Sequence, residues 1–223
     1  IRQANYLEHD SLVKAFTGVD KLLFVSGSEI ETREAQHENV VKAAKEAKVG
    51  HILYTSFIRK EEITDSAISF LQDTHIKTEN WIKESGLPYT ILQNALYMDM
   101  IPMFVGEAVV EHGAIVLPAE SGKSTAVLRN ELAEAAAEVL LGDGHENKVY
   151  PLSNNDAYTY ADVAEVISKA TGKEVVYNSP SVDEFQKMME ENKVPAEYIG
   201  LFTAFSVAQA KGELELKDNT LEK

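Results

Sequence analysis

Three short apolar runs, separated by two stretches of helical periodicity, limit what this chain can fold into. The runs are "KLLFVS" (residues 21–26), "HILYTSF" (His51–Phe57) and "YTIL" (residues 89–92). Continuous apolar runs of this length belong to strands buried on both faces. Between the first two, residues 34–48 place Val40, Val41, Ala44 and Ala47 on one helical stripe. Between the second and third, residues 73–85 form a helix, with Asp73 or Thr74 as cap and Gly86 as stop. Residues 11–16 add a short helix capped by Ser11 and stopped near Gly18. Strand, helix, strand, helix, strand requires right-handed crossovers and a parallel sheet. The fold class is therefore α/β, a Rossmann-like parallel sheet with helices on both faces.

The second half is less regular. Residues 113–118 read as a strand and residues 130–141 as a helix capped by Asn130. A short strand follows in "KVYPLS", then a helix opened by Thr159 and Asp162, then the strand "EVVYN". Ser181 and Glu184 form a capping box for the next helix, and residues 196–211 are helical. This gives residues 1–112 as a partial dinucleotide-binding lobe and residues 113–223 as a smaller substrate-side lobe. No clean linker divides them, and some elements cross between lobes.

Composition narrows the partners. Asp and Glu number 36 against 21 Lys and Arg, a formal charge of -15, and no long basic run exists. Duplex nucleic acid needs clustered cations on the protein and is excluded as a partner. With no cysteine, disulfides and thiolate chemistry are excluded, which fits a cytoplasmic protein. No apolar run is long enough to span a bilayer, so no membrane partner is expected. The six histidines show no metal-ligand spacing. "AESGKST" (residues 119–125) resembles a phosphate loop but lacks its spacing, because Leu117 stands where the first glycine is needed. It reads as a flexible loop, a flap over a cleft.

In a parallel α/β sheet, ligands bind beyond the carboxyl ends of the strands. That rule joins three stretches into one constellation. The first strand ends in Ser26, Gly27 and Ser28, the second in Thr55, Ser56 and Phe57, and the third in Gln93, Asn94 and then Tyr97. Small and hydroxyl residues allow a flat ligand to approach the backbone. Taken singly, each stretch is more often plain structure: Ser-Gly-Ser is a common turn, and Tyr97 with Met98, Met100, Met103 and Phe104 is a common core pattern. His75, placed near a helix start, is the one histidine that could face the cleft as a neutral hydrogen-bond partner.

"FTGVDKLLFVSGSE", "HENVVKAAKEAKVGHILYTSF", "HIKTENWIKESGLPYTILQNALY" and "HENKVYPLSN" occur in this order over nearly the whole chain. Together they resemble the NmrA-like group of atypical short-chain dehydrogenases, and within it the branch of triphenylmethane reductases and type-2 NAD(P)H:quinone oxidoreductases. The family opens with a strand and a glycine-rich loop that cradles the dinucleotide pyrophosphate. The sequence from Ile1 lacks that loop, and "IRQANY" resembles the family's third strand. By this likeness roughly 50 residues, two strands and two helices, precede Ile1 in the family, and a short helical stretch follows "NTLEK". The resemblance implies that residues 1–223 alone hold a dinucleotide only weakly.

Many short-chain dehydrogenases use a Tyr-x-x-x-Lys pair on the helix before the third strand seen here. Counting back from Glu79 puts His75 at the lysine place and Leu71 at the tyrosine place. Without that proton relay, alcohol–ketone chemistry is disfavoured, whereas electrophilic quinones and cationic dyes need only a well-placed hydride donor. The resemblance therefore implies NADP as cofactor, with NAD an alternative, and a small aromatic acceptor. It puts Asn5 and Tyr6 near the adenine, and Ser26, Gly27 and Ser28 along the adenosine side. Thr55, Ser56 and Phe57 fall near the nicotinamide ribose. His75 hydrogen-bonds that ribose, and Asn94 and Tyr97 stand at the nicotinamide and acceptor. A homodimer is one assembly such a chain could form. A different class of function stays open: a redox-sensing regulator that binds dinucleotide without turning it over.

Overall fold

A computed structural model gives the fold and describes residues 1–60 and 65–222. The first half alternates as the apolar runs require: α1 (His9–Phe16), β1 (Lys21–Phe24), α2 (Arg33–Glu46), β2 (His51–Phe57), α3 (Ser69–Ser85) and β3 (Tyr89–Asn94). All pair in parallel, with Phe24 beside Tyr54 and Tyr54 beside Ile91. β2 is the most buried strand of this sheet: Ile52, Leu53 and Tyr54 have no exposed surface. Alternation along β2 sends Ile52 and Tyr54 into a cluster with α1, α2 and α3, and Leu53 into a cluster beneath α6. Helices thus cover both faces of the sheet.

The chain continues through β4 (Leu96–Tyr97), α4 (Ile101–Val105), α5 (Val109–His112), β5 (Ala114–Val116), β6 (Ala126–Val127) and α6 (Arg129–Leu141). It closes with β7 (Lys148–Leu152), α7 (Tyr160–Thr171), β8 (Val176–Asn178), α8 (Val182–Glu191) and α9 (Ala196–Ala210). β7 returns to the main sheet beside β3, giving the order β1-β2-β3-β7, while β4 pairs with β6 and β5 with β8. A third cluster, built on Ile115, Leu117, Tyr160, Phe185 and Phe205, reaches back to Phe57, Ile68 and Leu96. It closes the second half against the strand ends.

Several local expectations are corrected. β1 is not buried on both faces: Leu22 and Leu23 are half-buried, because among the described residues nothing pairs with its outer edge. Residues 1–6 form no strand, for lack of a neighbour to pair with; instead Arg2 donates to the carbonyls of Ala15 and Thr17. Ser11 is not a cap, since its hydroxyl is engaged within the turn, donating to the Glu8 carbonyl and accepting from Asn5 N. α6 starts one residue before Asn130; Glu131 accepts from Leu128 N in place of an asparagine cap. α3 starts at Ser69, before Asp73 and Thr74, because fully buried Ile68 anchors its first turn and Ser66 Oγ accepts from Ile68 N. Gly86 ends α3 in the left-handed conformation, and the Thr159–Asp162 and Ser181–Glu184 boxes form as expected.

Residues 119–125 are no loose flap. Ser124 pairs with Tyr158 in both directions, Thr125 N donates to the Leu214 carbonyl, and Gln209 donates to the Gly122 carbonyl. Ser124 and Thr125 are buried. Gly122 lies so close to α9 that an added Cβ would sit 2.1 Å from the Gln209 carbonyl oxygen.

Candidate functional site

The parallel register brings the strand ends to one edge. Phe57 lies beside Asn94, and Asn94 beside Leu152. β1 stops earlier, but its following loop stays attached, because Ser26 N donates to Thr55 Oγ1 at 2.9 Å. The Ser26–Gly27, Thr55–Phe57 and Asn94 stretches therefore share one edge of the sheet.

Asn94 is 5% exposed, and its buried Oδ1 has no hydrogen-bond partner among the described residues. Its backbone carbonyl is engaged by Ile58 N. An orphaned amide oxygen at this depth leaves a desolvation penalty of about 1–3 kcal/mol uncompensated, which a ligand donor would relieve.

Beside it runs a buried polar chain. Arg33 Nη2 donates to Ser26 Oγ at 3.0 Å and meets His75 Nε2 at 2.6 Å. A guanidinium only donates, so His75 Nε2 accepts and its proton resides on Nδ1. Nδ1 in turn lies 2.8 Å from the Tyr54 hydroxyl. His37 is fixed by similar logic: Gly27 N donates to its Nε2, leaving Nδ1–H for Thr78 Oγ1 at 2.9 Å. Burial, then the Arg33 charge, pushes His37 down to about 3 and His75 well below its ordinary value. Burial pushes Tyr54 up to about 12. All three rings are neutral at physiological pH. Arg33 is itself lowered by burial, with Tyr54 and Tyr97 opposing.

A second buried group locks the next strand end. Glu79, 2% exposed, takes both guanidinium nitrogens of Arg59 at 2.7 and 2.9 Å, the Ser56 hydroxyl at 2.5 Å and the Gln93 amide at 3.3 Å. Burial favours its neutral form, but the Arg59 and Ser56 hydrogen bonds outweigh this and hold the carboxyl below its usual range. Ser56 is thereby committed to the protein rather than to solvent.

The remaining residues divide. Phe57 stacks at 6.2 Å on His75 and belongs to the cluster that closes over the strand ends. Met98, Met100 and Phe104 join that same cluster, whereas Tyr97, on β4 rather than a helix, packs toward α6 with the Arg129 guanidinium 5.6 Å from its ring centre. Tyr97 and these methionines thus pack against two different clusters. His75 lies inside α3 and is 6% exposed, so burial rather than a helix end sets its charge. Tyr6 packs edge-on against Phe24, and Asn5 and Ser28 are exposed. A wide groove of about 1180 Å³ lies elsewhere, between α6 and β7, and is not lined by Asn94, His75 or Phe57.

Sequence reasoning missed Arg33, His37, Glu79 and Arg59. One signal was available: residues 33, 37, 40, 41 and 44 form one continuous helical stripe, so Arg33 and His37 share the buried face with two valines and an alanine.

Comparisons with known proteins bear on the family and the fold. The family model described as NmrA-like matches residues 1–220. The chain is 36% identical over 223 residues to quinone oxidoreductase 2 of Escherichia coli (strain K12), covering 76% of it. A solved NADPH complex of that Escherichia coli enzyme aligns over 99% of this chain and 76% of its own, at 35% identity and a TM-score of 0.90. The Citrobacter sp. triphenylmethane reductase complexed with NADP(H) covers 99% of this chain at 41% identity, with a TM-score of 0.89 and 77% of its own chain aligned.

Proposed function

This chain belongs to the NmrA-like family, and on that premise we propose that it is an NAD(P)H-dependent oxidoreductase reducing quinones and quinone-like or triphenylmethane-type acceptors by hydride transfer. The observation that carries the reading is the unpartnered, buried amide oxygen of Asn94 at the shared end of three parallel strands. It is a fixed polar atom at the place where this architecture receives a ligand.

The residues present fit the nicotinamide end of NADP, the favoured cofactor, or of NAD. Asn94 offers an acceptor, Phe57 an apolar face, and Thr55 and Ser26 a hydroxyl-lined approach. The reduced nicotinamide supplies the hydride. The protein's task is positioning in a dry site, because His75 is held neutral and Tyr54, pushed up to about 12, keeps its proton too tightly to be an effective acid near neutral pH. Neutral His75, held by Arg33 and Tyr54, supports the floor beneath the ribose position, while Ser56, held by Glu79, keeps the β2 end in register. Such a floor suits an acceptor that needs no strong acid.

Among the described residues no helix is long and apolar enough to cross a membrane. The acidic charge of -15 argues against nucleic acid, and a cytoplasmic setting supplies reduced dinucleotide. The direct test follows NADPH oxidation by the full-length gene product with a naphthoquinone and with a triphenylmethane dye. Turnover with at least one acceptor is expected. Tight NADPH binding with no oxidation by either would instead favour a redox sensor.

A further inference from the structure

Arg33 is 4% exposed, and among the described residues no carboxylate pairs with it. Its contacts are all neutral: Ser26 Oγ, His75 Nε2 and the Leu71 carbonyl, and its Nε has no partner. Three nearby cations, by contrast, have carboxylate partners. Arg59 and Lys83 share Glu79, and Arg129 faces Asp99. Burying a charge this deeply with no counter-ion among the described residues is unfavourable by several kcal/mol unless something else gains from it. Arg33 also touches two of the residues assigned to the ligand, Ser26 and His75. A permanent positive charge therefore stands under the candidate ligand floor.

We propose that Arg33 determines acceptor specificity, favouring acceptors that become anionic on reduction over those that begin as cations. The inference rests on the proposed reductase reading and extends it to substrate class. A neutral quinone gains two electrons and one proton as hydride and becomes a hydroquinone monoanion, which takes its second proton from water. A triphenylmethane cation gains the same hydride and becomes neutral. Negative charge thus grows near Arg33 in the first reaction, and positive charge vanishes near it in the second. Any effect of Arg33 on the dinucleotide is common to both and cancels in their ratio. The chain's overall charge of -15 draws cations toward the molecule, so Arg33 acts locally against its long-range field.

The test compares Arg33→Met, which removes the charge, with Arg33→Lys, which keeps it. For Arg33→Met, kcat/KM should fall about five- to twentyfold with a naphthoquinone and rise or hold with a triphenylmethane dye, as expected for a transition state that develops half to all of a unit charge about 9 Å away at an effective dielectric near 20. Arg33→Lys should retain most of the wild-type preference. A second readout needs no turnover: the cationic dye, titrated by absorbance into protein lacking any hydride donor, should bind more tightly to Arg33→Met than to wild type. Equal losses with both acceptors and unchanged dye affinity would overturn the proposal and leave Arg33 a packing residue. If wild type reduces neither acceptor, the reductase reading fails, and the dye titration still decides the charge claim. Should Arg33→Met not fold, Arg33→Gln takes its place in both measurements.

Discussion

Arg33 and His75, 42 residues apart in sequence, meet at 2.6 Å across the end of β2. The contact sets a protonation state: the guanidinium can only donate, so the imidazole accepts at Nε2 and stays neutral. Two helices on one face of the sheet are thereby joined under the crevice by a bond that survives only while His75 is uncharged.

That dependence gives a pH prediction. His37 and His75 both have folded pKa values below the unfolded value of about 6.5, His37 at about 3. Below pH 6.5 the unfolded chain binds more protons, so stability is full above that pH and falls as pH drops toward the folded values. Each imidazole contributes up to about 1.4 kcal/mol per pH unit in that window. Urea unfolding should give a steep loss of stability between pH 6.5 and 5, and His37→Gln should flatten it. A flat wild-type profile over that range would contradict the buried, neutral assignment. Glu79, with its pKa lowered, acts in the same direction but only below its unfolded value near 4.3.

Glu79→Ala should destabilise the protein by about 3–5 kcal/mol, because it strands the Arg59 guanidinium and frees Ser56 and Gln93. Glu79→Gln should cost less, as it keeps an acceptor. Thermal unfolding of both variants checks this; equal and small losses would mean that the carboxylate is not the hub of the group.

Two glycines should respond in opposite ways. Gly122→Ala drives a methyl group into the backbone of α9 and should cost about 3 kcal/mol or more, since neither Gln209 nor Ala210 can move without shifting the helix. Gly200→Ala, inside α9 with nothing within 4 Å of the new carbon, should stabilise by up to about 1 kcal/mol. The melting temperature of Gly122→Ala reports on how tightly residues 119–125 seat on α9, with Gly200→Ala as the control within that helix.

The sheet, its parallel direction and the meeting of three strand ends were legible because continuous apolar runs and crossover lengths leave few alternatives. What the sequence concealed was charge in the interior. Arg33 and His37 look like surface residues in a polar segment, and only the unbroken stripe from Arg33 to Ala44 places them inside. The flap reading of residues 119–125 failed for a related reason. Polar and glycine content implies freedom, yet these residues are held by backbone partners from Tyr158 and Leu214 that lie far away in sequence. Tyr97 went to the α6 side because β4, two residues long, alternates its side chains where a helix would have kept them together.

Asn94→Ala tests the central claim most directly. Its Oδ1 bonds to nothing among the described residues, so the fold should lose little, and the melting temperature should stay within about two degrees or rise slightly. If that oxygen is kept for the nicotinamide end of the cofactor, NADPH affinity of the full-length gene product, measured by titration calorimetry, should fall roughly 5–30-fold. A marked loss of melting temperature with unchanged NADPH affinity would contradict the account.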